Sequence, residues 1–70
     1  MMDKDVFKQI RINAGLSQFE YAKELGLTQA FVSMMENGHY AISDNTRRKV
    51  VTKFETGDIL TQMERLKRLS

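Results

Sequence analysis

Cysteine and proline are both absent from this chain of 70 residues, and histidine occurs once. Without cysteine neither a disulfide nor a thiolate metal site can form, and the lone His39 has no companions at metal-ligand spacing. No apolar run approaches the length of a membrane span, and the first residues do not lead into the apolar core of a signal peptide. We therefore expect a soluble, cytoplasmic protein that uses no metal ion and no other cofactor.

The sequence also lacks the patterns that mark enzymes. It contains no glycine-rich phosphate loop, no nucleophile motif and no pair of carboxylates with a supporting base. A chain of 70 residues forms one small domain, whose core has no room for a sizeable pocket. We expect a single domain over residues 1–70, with no catalytic residue and no enzymatic activity.

The most informative segment begins at Ser17 and predicts two short helices joined by a turn. Ser17 and Glu20 have the spacing of a capping box, in which each side chain satisfies a free backbone donor at a helix start. Gly26 can adopt the left-handed conformation that ends this helix. The apolar stripe between the two ends consists of Tyr21, Ala22 and Leu25.

A second helix is predicted after the turn, with Leu27 filling the corner and Thr28 as its N-cap. It should end at Asn37 or Gly38. The residues that share one of its faces are Val32, Met35 and Glu36. Two short helices joined in this way indicate a helix-turn-helix over about residues 17–37.

Three further helices are predicted around this unit, and the chain shows no strand alternation, so the expected fold class is all-α. Helix one covers about residues 3–14, and its apolar stripe is Val6, Phe7, Ile10 and Ala14. Helix four is capped by Ser43 or Asp44, and its apolar face is Val50, Val51 and Phe54. Helix five starts at Asp58, and its apolar side is Ile59, Leu60, Met63, Leu66 and Leu69.

Residues spread over the first three helices also carry a family resemblance. They are Arg11, Gln18, Ala22, Gly26, Val32, Ser33, Glu36 and Gly38. With them, over about residues 5–42, the chain resembles the phage-repressor and Cro type of helix-turn-helix domain, the XRE-like family. The resemblance implies a five-helix, lambda-repressor-like domain that binds DNA and regulates transcription. After Ile42 the match fades, because residues 39–43 replace the proline and basic residues often found there.

Helix three of such a domain is expected to read DNA in the major groove. At about 100° per residue, the side opposite its apolar face, the flank of that side and the exposed N-terminal end, where Gln29 lies, present four residues to base edges. These are Gln29, Ala30, Ser33 and Met34. Alternatively, Gln29 is a solvated first-turn residue and Met34 is an exposed neighbour of a core residue. Phe31 should lie partly exposed on the flank of this side, where it packs on DNA, meets a protein partner, or folds back over Tyr21 or the turn.

Contacts with DNA phosphates are expected from residues around this helix. The net charge is only +2, from eleven Lys and Arg and nine Asp and Glu, and the helix-turn-helix itself is slightly acidic. Positive charge lies on the flanks, where the basic run 47–49 is either a phosphate clamp or a solvated helix face. The expected phosphate-binding residues are Gln18 and Asn37, which the resemblance implies, and Thr28, Tyr40, Arg47 and Arg48. Tyr40 is alternatively exposed to solvent.

Arg11 and Glu36 lie beside apolar stripes, where either charge alone would be costly to bury. Together they can form an ion pair. The resemblance implies this pair, because the family often joins these two positions by a salt bridge between helix one and helix three. Such a bridge fixes helix orientation more than it adds net stability.

The expected partner is double-stranded operator DNA, bound by a homodimer at a palindromic site with half-sites about 34 Å apart. Helix five carries more apolar residues than docking requires, so Leu66 and Leu69 are predicted to meet a second chain or a partner protein. Alternatively, this helix only covers helices one and four. The alternative function is a protein-binding module that grips another regulator, as antirepressors and antitoxins do. Its support is the acidic reading unit and the expected exposure of Phe19, Phe31 and Met34.

Overall fold

The computed structural model describes residues 2–54, which form four α-helices. They are α1 (Lys4–Asn13), α2 (Gln18–Leu25), α3 (Gln29–Glu36) and α4 (Asp44–Phe54). Over these residues there is no strand, so the predicted all-α class is confirmed for them. The predicted helix five, with Leu66 and Leu69, lies outside the described residues.

Helix α1 begins after Asp3, whose carboxylate accepts a hydrogen bond from the Asp5 N–H at 2.7 Å. It buries three of the four residues predicted for its stripe, Val6, Phe7 and Ile10. The prediction for Ala14 is wrong, because this residue is exposed. The helix ends at Asn13, and the chain then turns at Gly15 with φ of 71°, so Ala14 caps the helix and does not continue its buried face.

Helix α2 has the predicted capping box at its start. The Ser17 hydroxyl accepts from the Glu20 N–H at 3.1 Å, and the Glu20 carboxylate accepts from the Ser17 N–H at 2.9 Å. These hydrogen bonds, the one from the Ser17 backbone first, hold the pKa of the Glu20 carboxyl below its ordinary value. The first helix of the predicted motif therefore starts directly after Ser17, as the capping box predicts.

The turn between α2 and α3 follows the predicted chemistry. Gly26 is left-handed, with φ of 68°, and the Leu27 N–H donates to the Ala22 carbonyl at 2.8 Å, which closes the last turn of α2. The Thr28 hydroxyl then accepts from the Phe31 N–H at 3.1 Å and caps α3. Local residues thus set the angle at which α3 leaves α2.

Tyr21 lies at the centre of the core and is fully buried. Its ring packs on Phe7 and on Phe54, with centroid distances of 4.9 Å and 5.5 Å, and its hydroxyl donates to the Phe7 carbonyl at 2.9 Å. Burial, reinforced by the nearby charge of Glu36, raises the pKa of the Tyr21 hydroxyl above its ordinary value. One side chain of α2 therefore joins α1, α2 and α4.

Three core residues were not predicted from the sequence: Met2, Ile42 and Thr46 are all buried. Ile42 lies in the segment that connects α3 and α4. Ser43 follows it and caps α4, because its hydroxyl accepts from the Thr46 N–H at 3.2 Å. The same hydroxyl donates to the Thr46 hydroxyl at 3.1 Å, which satisfies this buried polar side chain.

Candidate nucleic-acid interface

Helix α3 is amphipathic in the predicted register. It buries Val32, Met35 and Glu36 against the other helices. Gln29 at its N-terminal end and Ala30 on the opposite side are exposed, and the two remaining predicted base readers, Ser33 and Met34, are half-buried. The structure thus places all four predicted base-reading residues outside the buried core, along one short helix.

Two of the predicted phosphate-binding residues lie at the ends of α3. Thr28 is exposed at the N-terminal end, where its hydroxyl serves as the cap. Asn37 is exposed at the C-terminal end, where its N–H donates to the Ser33 carbonyl at 3.0 Å and its side-chain amide donates to the Ser33 hydroxyl at 3.4 Å. Both side chains therefore lie at the rim of the surface that carries Gln29.

Phe31 is half-buried and folds back from the exposed side of α3. Its ring packs on the ring of Tyr40, with a centroid distance of 5.3 Å and an interplanar angle of 36°. The sequence left a fold-back open but named Tyr21 or the turn as its target, and not Tyr40. Tyr40 itself remains 52% exposed. The pair fixes the segment after α3 close to the exposed side of that helix.

Arg11 and Glu36 are brought together beneath α3. The Arg11 Nε donates to Glu36 Oε2 at 2.8 Å and Arg11 Nη2 donates to Glu36 Oε1 at 3.1 Å, which is a two-point contact. A third guanidinium nitrogen, Nη1, donates to the Leu16 carbonyl at 3.0 Å. The Glu36 side chain is only 2% exposed, and that of Arg11 is 15% exposed. The ion pair therefore fixes α1 relative to α3 in a setting with little solvent.

Gln18 joins this ion pair, which the sequence did not predict. Its side-chain amide donates to Glu36 Oε1 at 3.2 Å. The spacing could have shown this contact, because Gln18 lies on the same face of α2 as Ala22 and Leu25, at i, i+4 and i+7. Glu36 thus links all three of the first helices, and the amide expected to bind a phosphate is held in place by a carboxylate.

The basic run at residues 47–49 separates into two kinds of residue. Arg48 is exposed, and Arg47 is half-buried with its Nε 3.9 Å from the carboxylate of Asp44. Lys49 instead donates to the Leu25 carbonyl at 3.4 Å, where it interacts with the C-terminal end of α2. The two arginines therefore remain the residues of this run that can contact a phosphate.

A family model described as helix-turn-helix matches residues 7–49 of the chain. This match covers more than half of the 70 residues and runs from α1 into α4. The chain belongs to this helix-turn-helix family. The resemblance to the Cro and XRE-like type, noted from the sequence, is thereby confirmed. No curated protein and no solved structure matches the chain.

Membership in the helix-turn-helix family indicates a DNA-binding regulator of transcription, and such domains are typically not enzymes. In a helix-turn-helix the second helix of the motif enters the major groove, and here that helix is α3. No helix within residues 2–54 is long and apolar enough to cross a membrane.

Proposed function

We propose that this helix-turn-helix domain recognises a specific DNA sequence by placing α3 in the major groove, and that it regulates transcription from that site. The observation that carries the proposal is the division of α3 into two sides. One side is locked to α1 and α2 through Glu36, whereas Ala30 on the opposite side and Gln29 at the N-terminal end are exposed to solvent. Recognition helices contact base edges with their N-terminal residues.

The side chains on this surface have chemistry that suits base edges. A glutamine such as Gln29 can form two hydrogen bonds with an adenine, one accepted by its oxygen and one donated by its nitrogen. Ala30 and Met34 can pack on thymine methyl groups, and Ser33 can bond a base or a phosphate. We assign direct reading to these four residues.

The surrounding polar residues are assigned to the DNA backbone. Gln18 and Thr28 lie at the N-terminal ends of α2 and α3, where free backbone N–H groups favour an anion. Asn37 lies at the C-terminal end of α3 and offers its side-chain amide. Tyr40, which packs on Phe31 of α3, adds one hydroxyl, and Arg47 and Arg48 of α4 add two guanidinium groups. Contacts of this kind set the register on DNA and give affinity without sequence preference.

A homodimer on a palindromic operator completes the proposal. One copy of α3 reads a few base pairs, and two copies on successive major-groove faces need centres about 34 Å apart. We assign the dimer contact to Leu66 and Leu69, which the sequence places on the apolar side of the C-terminal segment. Residues 1–70 are proposed to act as one domain.

Loss of the Gln29 side chain should relax base reading. We expect Gln29→Ala to weaken binding to the best site by roughly 1–3 kcal/mol and to relax preference at one base pair, because two hydrogen bonds to one base disappear. Binding to unrelated duplex should change little. Fluorescence anisotropy with the best site and with its single-base variants measures both effects.

The matched control is Gln9→Ala, which removes the same side chain from α1, where it bonds Asn13. This variant should bind like the parent chain. If Gln29→Ala lost the same affinity on every sequence, Gln29 would be a general contact and not a base reader.

Loss of Arg47 and Arg48 should weaken all DNA binding alike. We expect the double Ala variant to lose affinity for specific and unrelated duplex and to flatten the plot of log affinity against log salt by about 0.9 for each lost phosphate contact. Titrations at several salt concentrations measure this slope.

A variant with Lys8→Ala and Lys53→Ala removes the same charge from exposed positions elsewhere and serves as the control. Its slope should stay close to that of the parent chain, because counterion release depends on contacts and not on net charge alone. Equal slopes for the two double variants would show that Arg47 and Arg48 make no phosphate contacts and belong to a solvated helix face.

The second candidate function is binding of another regulatory protein, and the exposed ring of Phe19 favours it. A domain that binds only another protein would bind that partner, and its retention on duplex DNA would not fall steeply as salt is added. A DNA-binding domain must show that loss. Retention on immobilised unrelated duplex across a salt gradient therefore separates the two functions.

A further inference from the structure

A groove of about 500 Å³ runs beside the turn of the helix-turn-helix, between α2 and the start of α3. Its wall is the ring of Phe19, which is 61% exposed, more than any other large apolar side chain of residues 2–54. The residues that line the groove are Phe19, Ala22, Lys23, Leu27, Thr28 and Gln29. The groove is therefore apolar at its base, with a cation and two polar side chains along its rim.

Phe19 is not needed for the core of this domain. The buried face of α2 is formed by Tyr21, Ala22 and Leu25, and Phe19 points away from it, one turn before Lys23. Covering this ring with another apolar group would be favourable, because it would remove apolar surface from water.

The groove is continuous with the end of α3 that is assigned to base reading. Gln29 and Thr28 line the groove and also belong to the DNA-facing rim of α3. A base that Gln29 contacts would therefore lie at the mouth of the groove. The positively charged ammonium group of Lys23 at the rim can attract a negatively charged DNA phosphate. The apolar group that the major groove offers beside a base edge is the C5-methyl group of thymine.

We infer that Phe19 is a specificity-determining residue, whose ring contacts the C5-methyl group of a thymine next to the base pair read by Gln29. The inference rests on the proposed function, and it adds a base preference that comes from α2. Lys23 holds the adjoining phosphate. Apolar contact with a thymine methyl group excludes the other three bases at that position, because none of them carries a methyl group there.

The test replaces single thymidines of the best site with deoxyuridine, which removes the methyl group and keeps base pairing. For the parent chain one such replacement should weaken binding about fourfold, the value expected for one buried methyl group. For Phe19→Ala the same replacement should have no effect, and Phe19→Ala should itself lose about the same factor on the thymidine site. Ile12→Ala is the control, because Ile12 is also exposed, at 50%, and lies on α1.

Two results would overturn the inference while leaving DNA binding intact. Phe19→Ala with unchanged affinity would leave this face to a protein partner, and an equal loss on thymidine and deoxyuridine sites would make the ring a general backbone contact. A parent chain that binds no duplex at all would overturn the proposed function as well, so the two failures are distinguishable. Circular dichroism of Phe19→Ala should match the parent chain, since the residue is exposed.

Discussion

Breaking the ion pair between Arg11 and Glu36 from one side should lower the free energy of unfolding by about 3–5 kcal/mol. Glu36→Gln and Arg11→Met keep most of the side-chain volume and remove one charge each. Either change leaves the other charge poorly solvated, because the Glu36 side chain is 2% exposed and that of Arg11 is 15% exposed. Urea unfolding followed by circular dichroism measures the loss.

The coupling between the two residues decides whether the pair itself matters. The double variant should cost less than the sum of the single variants, because no charge is then left unpaired, and the coupling should reach about 1–3 kcal/mol. If a single variant is unfolded in buffer, the same cycle is run with an osmolyte present in every sample.

The exposed pair of Lys53 and Glu24 gives the matched control. Lys53 Nζ lies 3.8 Å from Glu24 Oε2, and both side chains are about half exposed. Its coupling should stay below about 1 kcal/mol. Additive losses at Arg11 and Glu36 would contradict the role given to this bridge in fixing α3.

Removal of the Tyr21 ring should be equally severe. We expect Tyr21→Ala to cost about 3–5 kcal/mol, because it leaves a cavity between the rings of Phe7 and Phe54. Tyr21→Phe should cost only about 1 kcal/mol, since it removes one hydrogen bond to the Phe7 carbonyl. Denaturant titration of both variants separates packing from hydrogen bonding. Equal losses would show that the hydroxyl, and not the ring, dominates.

The same residue predicts how stability depends on alkaline pH. The pKa of Tyr21 is raised in the folded chain, so the hydroxyl ionises more easily in the unfolded chain. Stability from this group is therefore complete below about pH 10, the ordinary value for tyrosine, and falls as the pH rises above it. Tyr21→Phe should show a shallower decline between pH 9 and 11 than the parent chain.

Much of the helix-turn-helix could be predicted because its signals are local. The capping box of Ser17 and Glu20, the left-handed Gly26 and the Thr28 cap each depend on residues within one helical turn. Once the inward face of α3 was identified by spacing, helical geometry placed Ala30 and Met34 on the opposite side, and Gln29 at the exposed N-terminal end. The register of the candidate reading surface therefore followed from the sequence.

The features that could not be predicted depend on contacts between distant segments. Ile42 is buried in the core although it lies in the connection between α3 and α4, and no periodic pattern marks a single inward residue in a connection. Phe31 folds back onto Tyr40, a partner outside its own helix. Ala14 was wrong for the opposite reason: its spacing fits the stripe of α1, but the helix ends one residue earlier.

Selection from a random pool of duplex DNA with the purified chain tests whether α3 reads a specific sequence. We expect that a short motif is enriched, that it recurs as two inverted half-sites whose centres are about 10 base pairs apart, and that Gln29→Ala relaxes one position in each half-site. Recovery of a pool that cannot be distinguished from the input, from a chain confirmed as folded, would contradict it.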